Sequence, residues 1–154
     1  MMSKPVITTV NDITLVTLQN CPSEISFIAD LYGKISEYGV NVDMISLAPT
    51  QGAITSVSFT ISDNDLDKIL AFTSNLRDTS NIKTIVSSGN CKISVYDPSM
   101  KDTPGVAAKV FAAAAKAETD LRIITTSEVD ISLLITAADF DHTLHEIETV
   151  MDAQ

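Results

Sequence analysis

The chain repeats one pattern of strands and helices, and this repeat limits the folds it can adopt. The segment Val40–Ser46 is matched 79 residues later by Thr119–Thr125, and the same spacing relates Thr14–Val16 to Ile93–Val95. Each copy reads strand, helix, strand, strand, helix. Repeated units of this kind predict an α+β fold with two ferredoxin-like domains, each an antiparallel sheet with its helices on one face.

The helices are indicated by apolar residues at helical spacing and by capping residues at their ends. Ser23 is a candidate N-cap for the first helix, and Gly39 is a candidate C-terminal stop. Ser62 is a candidate N-cap for the second helix, and Pro104-Gly105 opens an Ala-rich third helix. The apolar positions of the last helix are Phe140, Leu144, Ile147 and Met151.

Strand counting predicts that one strand crosses from the first copy to the second. The first half holds five strand candidates: Val6–Val10, Ile13–Leu18, Val40–Ala48, Ile54–Ile61 and Lys83–Ser87. The second half holds three: Lys92–Tyr96, Leu121–Thr126 and Asp130–Ile135. Two complete βαββαβ domains then require Val6–Val10 to complete the second sheet. The predicted domains are residues 11–90, and residues 91–154 together with strand 6–10. The alternative is a hairpin with Ile13–Leu18 through Asn11-Asp12.

Charge and composition exclude several classes of partner. Ten basic and twenty acidic residues give a net charge of −10, which disfavours nucleic acid and anionic membranes. Met1 to Val10 has no apolar signal-peptide core, and no run of about 18 apolar residues occurs, so we expect a soluble, cytoplasmic protein. Cys21 and Cys91 make neither a disulfide framework nor a metal motif, and we expect no cofactor.

Signatures of catalysis are weak. His142 and His145 share the last helix, but its apolar face predicts that both point to water, so no metal site is expected. The loop Met100–Gly105 feeds a helix whose first amides could hold a carboxylate, or it is an ordinary strand–helix turn. The run Thr125–Glu128 is polar and could equally be a plain hairpin turn.

Several motifs, in order, resemble the second ACT domain of aspartate kinase. They are Lys92–Val95, Met100, Pro104–Phe111 (PGVAAKVF) and Ile124–Ser132 (ITTSEVDIS). Val40–Ile45 (VNVDMI) resembles the first ACT domain of the same family. The resemblance covers residues 6–151, and no kinase domain or nucleotide motif accompanies it. It implies a regulatory region alone, whether free-standing, a separate regulatory subunit or an excised piece.

The resemblance also implies allosteric binding of a free amino acid, lysine or threonine, as in aspartate-family amino-acid biosynthesis. The first-copy residues implied in binding are Gln19, Asn20, Cys21, Pro22 and Ser23. In the second copy they are Asp120 and Leu121, which stand where the family has Asn-Ile, and Thr126, Ser127 and Glu128, which match its Thr-Ser-Glu motif. We expect the ligand between the first-copy loop and Asp120-Leu121.

Two further partners are expected. A homodimer is predicted because Ile13–Leu18 and Lys92–Tyr96 are apolar-rich runs that would be bare sheet edges. A separate catalytic kinase subunit is the other partner that the resemblance allows.

Departures from the family pattern keep other functions open. Asn20 stands where the family often has Asp, Leu47 where a ligand-binding Gln is common, and Asp120 replaces an uncharged Asn. The main alternative is therefore a dimerisation or interaction module with degenerate ligand pockets. A small ferredoxin-like hydrolase, such as an acylphosphatase, would need an Arg-containing phosphate cradle beside the first strand, and neither Arg77 nor Arg122 lies there.

Overall fold

The computed structural model describes residues 4–50 and 52–152, so the last two residues of the predicted second domain lie outside it. The strands are β1 (Val6–Pro22), β2 (Ile45–Leu47), β3 (Ile54–Ser62), β4 (Lys83–Tyr96), β5 (Leu121–Thr126) and β6 (Asp130–Thr136). The helices are α1 (Ile25–Glu37), α2 (Leu66–Thr79), α3 (Val106–Lys116) and α4 (Phe140–Asp152). The strand order is β2-β3-β1-β4-β6-β5. The predicted α+β class is confirmed.

The chain divides into two compact units. The first unit is residues 12–88, and the second unit is the chain up to Asn11 together with the chain from Gly89 onward. Asp12 and Gly89 stand beside the two boundaries, and both have left-handed φ angles, 58° and 73°. Ile7, near the start of β1, packs against the core of the second unit. This is the copy in which strand counting places Val6–Val10.

The first unit is organised around β1 and β3. They pair antiparallel from Ile13↔Ser62 to Pro22↔Ile54, with a register shift between Leu18 and Cys21. The short strand β2 pairs with the other side of β3. Residues of α1 and α2 share one core cluster with these strands. Its most deeply buried members include Leu18, Ile35, Phe59 and Ile69.

The second unit repeats this arrangement around β4 and β6. They pair antiparallel from Asn90↔Thr136 to Tyr96↔Asp130. The strand β5 pairs with β6 and carries a register shift between Leu121 and Ile123. Side chains from α3 and α4 complete the core. Its most deeply buried members include Ile93, Val110, Leu133 and Ile147.

Three strand predictions need correction. β1 runs unbroken through Val6–Pro22, so the hairpin alternative at Asn11-Asp12 is wrong. A single left-handed residue such as Asp12 kinks a strand, whereas a hairpin needs at least two turn residues. Lys83–Ser87 and Lys92–Tyr96 likewise join in one strand, β4. Only Ile45–Leu47 of the predicted strand Val40–Ala48 is regular. The ladder is irregular at Met44, whose N–H donates to the side-chain Oγ1 of Thr60 at 2.9 Å and not to a backbone carbonyl.

The caps follow the predictions in part. Gly105 is the N-cap of α3, as predicted. Ser62 accepts a hydrogen bond from the Asn64 N–H, but it caps the 3-10 turn Asp63–Asp65, and Asp65 takes the N-cap position of α2. Ser23 does not cap α1. Its N–H donates to the Ala53 carbonyl at 2.9 Å, and Glu24 takes the N-cap position.

The predicted bare edges are also wrong. β1 and β4 are interior in the strand order, and β2 and β5 stand at its ends.

Within residues 4–50 and 52–152, no helix is long and apolar enough to cross a bilayer.

Candidate functional site

A cavity of about 410 Å³ lies in the second unit, between the segment that enters α3 and the turn from β5 to β6. The entering segment contributes Lys101 and Gly105, and the turn contributes Thr126, Ser127 and Glu128. The three turn residues predicted from the sequence therefore line one cavity. Its volume falls in the range of small-molecule sites.

The segment that enters α3 is the first wall of this cavity, and the turn from β5 to β6 is the second. Asp97 holds the first wall in place. Its side chain is buried, and Oδ1 accepts hydrogen bonds from the Ser99 N–H at 3.0 Å and the Ser99 hydroxyl at 2.7 Å. The Asp97 N–H donates to the Val129 carbonyl at 2.8 Å. This bond ties the first wall to the turn that forms the second. A carboxylate with two donors fixes the 3-10 turn Pro98–Asp102 more firmly than neutral groups would.

The second wall is closed by local hydrogen bonds. The Ser127 N–H donates to the Asp130 carbonyl at 2.9 Å, and the Ser127 hydroxyl accepts from the Val129 N–H at 3.3 Å. Thr126 and Glu128 are exposed on either side of Ser127. Their side chains can therefore turn to a ligand without breaking the turn.

The N-terminus of α3 brings amide donors to the cavity. Gly105 has φ of 94°, a conformation that other residues rarely adopt, and no side chain caps the helix. The first intrahelical bond runs from the Lys109 N–H to the Gly105 carbonyl at 3.1 Å. The amides of residues 106–108 precede it and need partners from elsewhere. With Lys101 and Glu128 also in the lining, the cavity suits a small zwitterion.

A second cavity, of about 340 Å³, lies in the first unit. Its lining combines Gln19 and Asn20 with Ala48, Pro49 and residues 54–56. Asn20 sits in the register shift of β1 with φ of 64°. The Thr55 hydroxyl donates to the Ala48 carbonyl at 2.8 Å and so joins the two sides. Two of the five first-copy residues predicted to bind ligand line this cavity.

The other three first-copy residues do not line it. The side chain of Cys21 lies in the core, with Sγ 3.6 Å from the Leu18 carbonyl. Burial raises the pKa of the Cys21 thiol, so the thiol is protonated at neutral pH. Pro22 is exposed, and the Ser23 N–H is used by Ala53.

Asp120 and Leu121 lie outside both cavities. The Asp120 N–H donates to Oδ2 of Asp139 at 2.8 Å. The carboxylate of Asp120 itself forms an ion pair with Arg122 at 3.2 Å. The hydrogen bond from the Asp120 N–H, and to a smaller extent that from the Thr136 hydroxyl, lowers the pKa of the Asp139 carboxyl. Leu121 packs against the core of the second unit. Asp120 directly precedes β5 and Thr126 ends it, so the two lie about 20 Å apart at the usual strand rise.

The histidines of α4 were singled out from the sequence, whereas some residues at the cavities were not. His142 and His145 are exposed as expected, and no cluster of three metal ligands occurs among the described residues. Asp97 and the pair Ala48-Pro49 escaped prediction. An Asp-Pro step after a strand is a weak signal for a buried capping carboxylate, and it was available at Asp97.

Comparison with known proteins shows what the chain is similar to. The ACT domain family matches residues 93–151. The aspartokinase of Bacillus sp. (strain MGA3) is 29% identical over 126 residues, which is 81% of this chain and 31% of that protein. The regulatory subunit of aspartate kinase from Thermus flavus superposes with a TM-score of 0.85 at 23% identity and covers 97% of both chains. A structure of aspartokinase alpha and beta subunits superposes with a TM-score of 0.82 at 22% identity, and the match covers 99% of both chains.

The relatives and structures named here are aspartokinases or subunits of aspartate kinase, and residues 93–151 of this chain match the ACT domain family. More particularly, the chain as a whole is similar in fold to the regulatory subunit of aspartate kinase. The chain spans about a third of the length of the curated relatives that it matches.

Proposed function

We propose that this chain is an allosteric regulatory module that senses a free amino acid, lysine or threonine, in aspartate-family amino-acid biosynthesis. The observation that carries the proposal is the cavity at α3. There, uncapped helix amides and Lys101 can hold an α-carboxylate, and Glu128 can hold an α-ammonium. A cytoplasmic location is a prediction of this role.

Lysine is favoured over threonine as the effector. The net charge of −10 attracts a ligand that carries an additional positive charge. The pairing of Gln19–Ser23 with Asp120-Leu121 as one site stays a prediction from the resemblance. So does the assignment of residues 11–90, and of residues 91–154 with strand 6–10, as the two functional ACT domains.

We propose two protein partners for the module. One is a second copy of the chain, and the other is a separate catalytic kinase subunit. The structural likeness to a regulatory subunit and to paired aspartokinase subunits supports both. The alternative of an interaction module with degenerate pockets is favoured by the paired state of Asp120, whose carboxylate already contacts Arg122.

Calorimetric titration of lysine into the variants Glu128→Gln and Glu148→Gln tests whether the α3 cavity is the site of lysine binding. Glu148 is exposed on α4 and lies outside the cavity lining, so it is a matched control for charge. Glu128→Gln should weaken binding by about tenfold, the loss of one charge-assisted hydrogen bond. Equal affinities in the two variants would remove the α3 cavity as the site.

A further inference from the structure

A third cavity, in the first unit, combines basic and apolar residues and belongs to neither cavity described above. It lies between α2 and the start of β4 and has a volume of about 400 Å³. From α2 it takes Leu70, Ser74 and Arg77, which share one face of the helix. From β4 it takes Lys83, Thr84 and Val86.

Thr84 gives this cavity a hydroxyl that lacks a partner. Its Oγ1 is buried, and no hydrogen bond from the described residues reaches it. An unpaired buried hydroxyl destabilises the folded protein, because its bond to water is lost and not replaced. A rotation about χ1 of Thr84 would bring the hydroxyl to a ligand acceptor in the cavity, which would supply the missing partner.

Arg77 and Lys83 make the cavity positive in a chain that is strongly acidic. Lys83 forms no ion pair among the described residues. Nε of Arg77 lies 3.6 Å from Asp78, with 74% and 70% of the two side chains exposed, and Nη2 lies 3.4 Å from the Ser74 hydroxyl. Exposed pairs of this kind contribute little free energy. Both cations are therefore available to an incoming anion.

The apolar wall decides the class of anion. Leu70 is 44% exposed, although it lines a cavity beside Val86 and the buried Ile82. Inorganic phosphate could use the cations and the hydroxyl but would leave this wall in water. We propose that the cavity binds a small organic acid, a carboxylate carried on a short apolar chain, independently of the effector cavity at α3.

Amide chemical-shift titration of the whole chain tests this with three probes. Hexanoate has the charge and the chain, hexan-1-ol has the chain alone, and inorganic phosphate has the charge alone. Hexanoate should produce saturable shifts at residues 70–77 and 82–86, and the other two should not. Saturation by phosphate at lower concentration would indicate a free-anion site, saturation by hexan-1-ol would indicate a plain apolar groove, and no saturation by hexanoate at millimolar concentration would reject binding. Each of these outcomes overturns the proposal.

Three variants locate the interaction. Arg77→Gln should weaken hexanoate binding by about tenfold. Lys68→Gln, on the same helix and outside the lining, should leave it unchanged. Thr84→Val should weaken binding while raising the melting temperature of the ligand-free protein, which also shows that the variant folds. Equal weakening by Arg77→Gln and Lys68→Gln would mean that only overall charge matters and would contradict the proposed site.

Discussion

Among single residues, Tyr32 is the ionisable side chain whose state the core of the first unit controls most strongly. Its ring packs edge-on against Phe59 with centroids 5.8 Å apart, and its hydroxyl is buried without a hydrogen-bond partner among the described residues. Burial, followed by the charge of nearby Cys21, raises the pKa of Tyr32 to about 12. The first unit therefore favours neutral Tyr32.

The stability of the protein should fall as the pH rises from about 10 to about 12. An unfolded chain loses the tyrosine proton near pH 10, before the folded chain does, so the unfolded state binds fewer protons in this window. Tyr32→Phe should reduce this loss, and it should not destabilise the protein at pH 8. Urea midpoints at pH 8, 10 and 11 measure the effect.

The exposed Tyr38 provides the control. Tyr38→Phe should keep the pH dependence of the unsubstituted chain. An unchanged slope in Tyr32→Phe would show that other groups cause the loss of stability at high pH.

At the scale of elements, the continuous strand β1 contributes to both units. Its first residues belong to the second unit, where Ile7 packs on the core, and its later residues belong to the first. Ile7→Ala should therefore destabilise the second unit by about 1–2 kcal/mol, less than a fully buried position would lose. Hydrogen exchange should become faster at residues 91–96 and 131–135.

Val6 offers a matched control for this prediction. It neighbours Ile7, is 52% exposed and is not part of the core cluster. Val6→Ala should leave exchange in the second unit unchanged. Faster exchange in Ile7→Ala confined to residues 13–18 would contradict the placement of the N-terminal segment.

How far the sequence predicts an element depends on whether the signal is local. The repeat and the apolar spacing predicted the helices α1 to α4, and the resemblance pointed to the Thr-Ser-Glu run that lines one side of the α3 cavity. The strands were harder, because Asp12 and Gly89 read as turn residues while the chain around them pairs with distant strands. Asn20 and Pro49 line the same cavity because of a register shift in β1, and no local sequence pattern encodes such a shift.

At the scale of the whole molecule, we expect a homodimer formed through β2. Ile45 and Leu47 on this terminal strand are 50% and 53% exposed, and Ile54 on β3 is 44% exposed. Apolar residues on an open strand are commonly covered by pairing with another chain. Light scattering should give about twice the 16.5 kDa of one chain.

Leu47→Lys tests which surface is covered. A charge on β2 should shift the protein to a single-chain mass, because burying an unpaired lysine at the interface is unfavourable. Ile25→Lys, at a 79% exposed position on α1, should leave the mass unchanged. A single-chain mass for the unsubstituted protein at micromolar concentration would contradict the dimer.

Amino-acid sensing is tested most directly by thermal unfolding of the unsubstituted chain with each of the twenty amino acids. A ligand present at 100 times its dissociation constant adds about 2.7 kcal/mol, which for a chain of this length raises the melting temperature by about 5–10 °C. Lysine or threonine should give this rise, and chemically similar amino acids should not. A flat response to all twenty at millimolar concentration, with the protein shown to be folded, would contradict the proposed function and favour the interaction module.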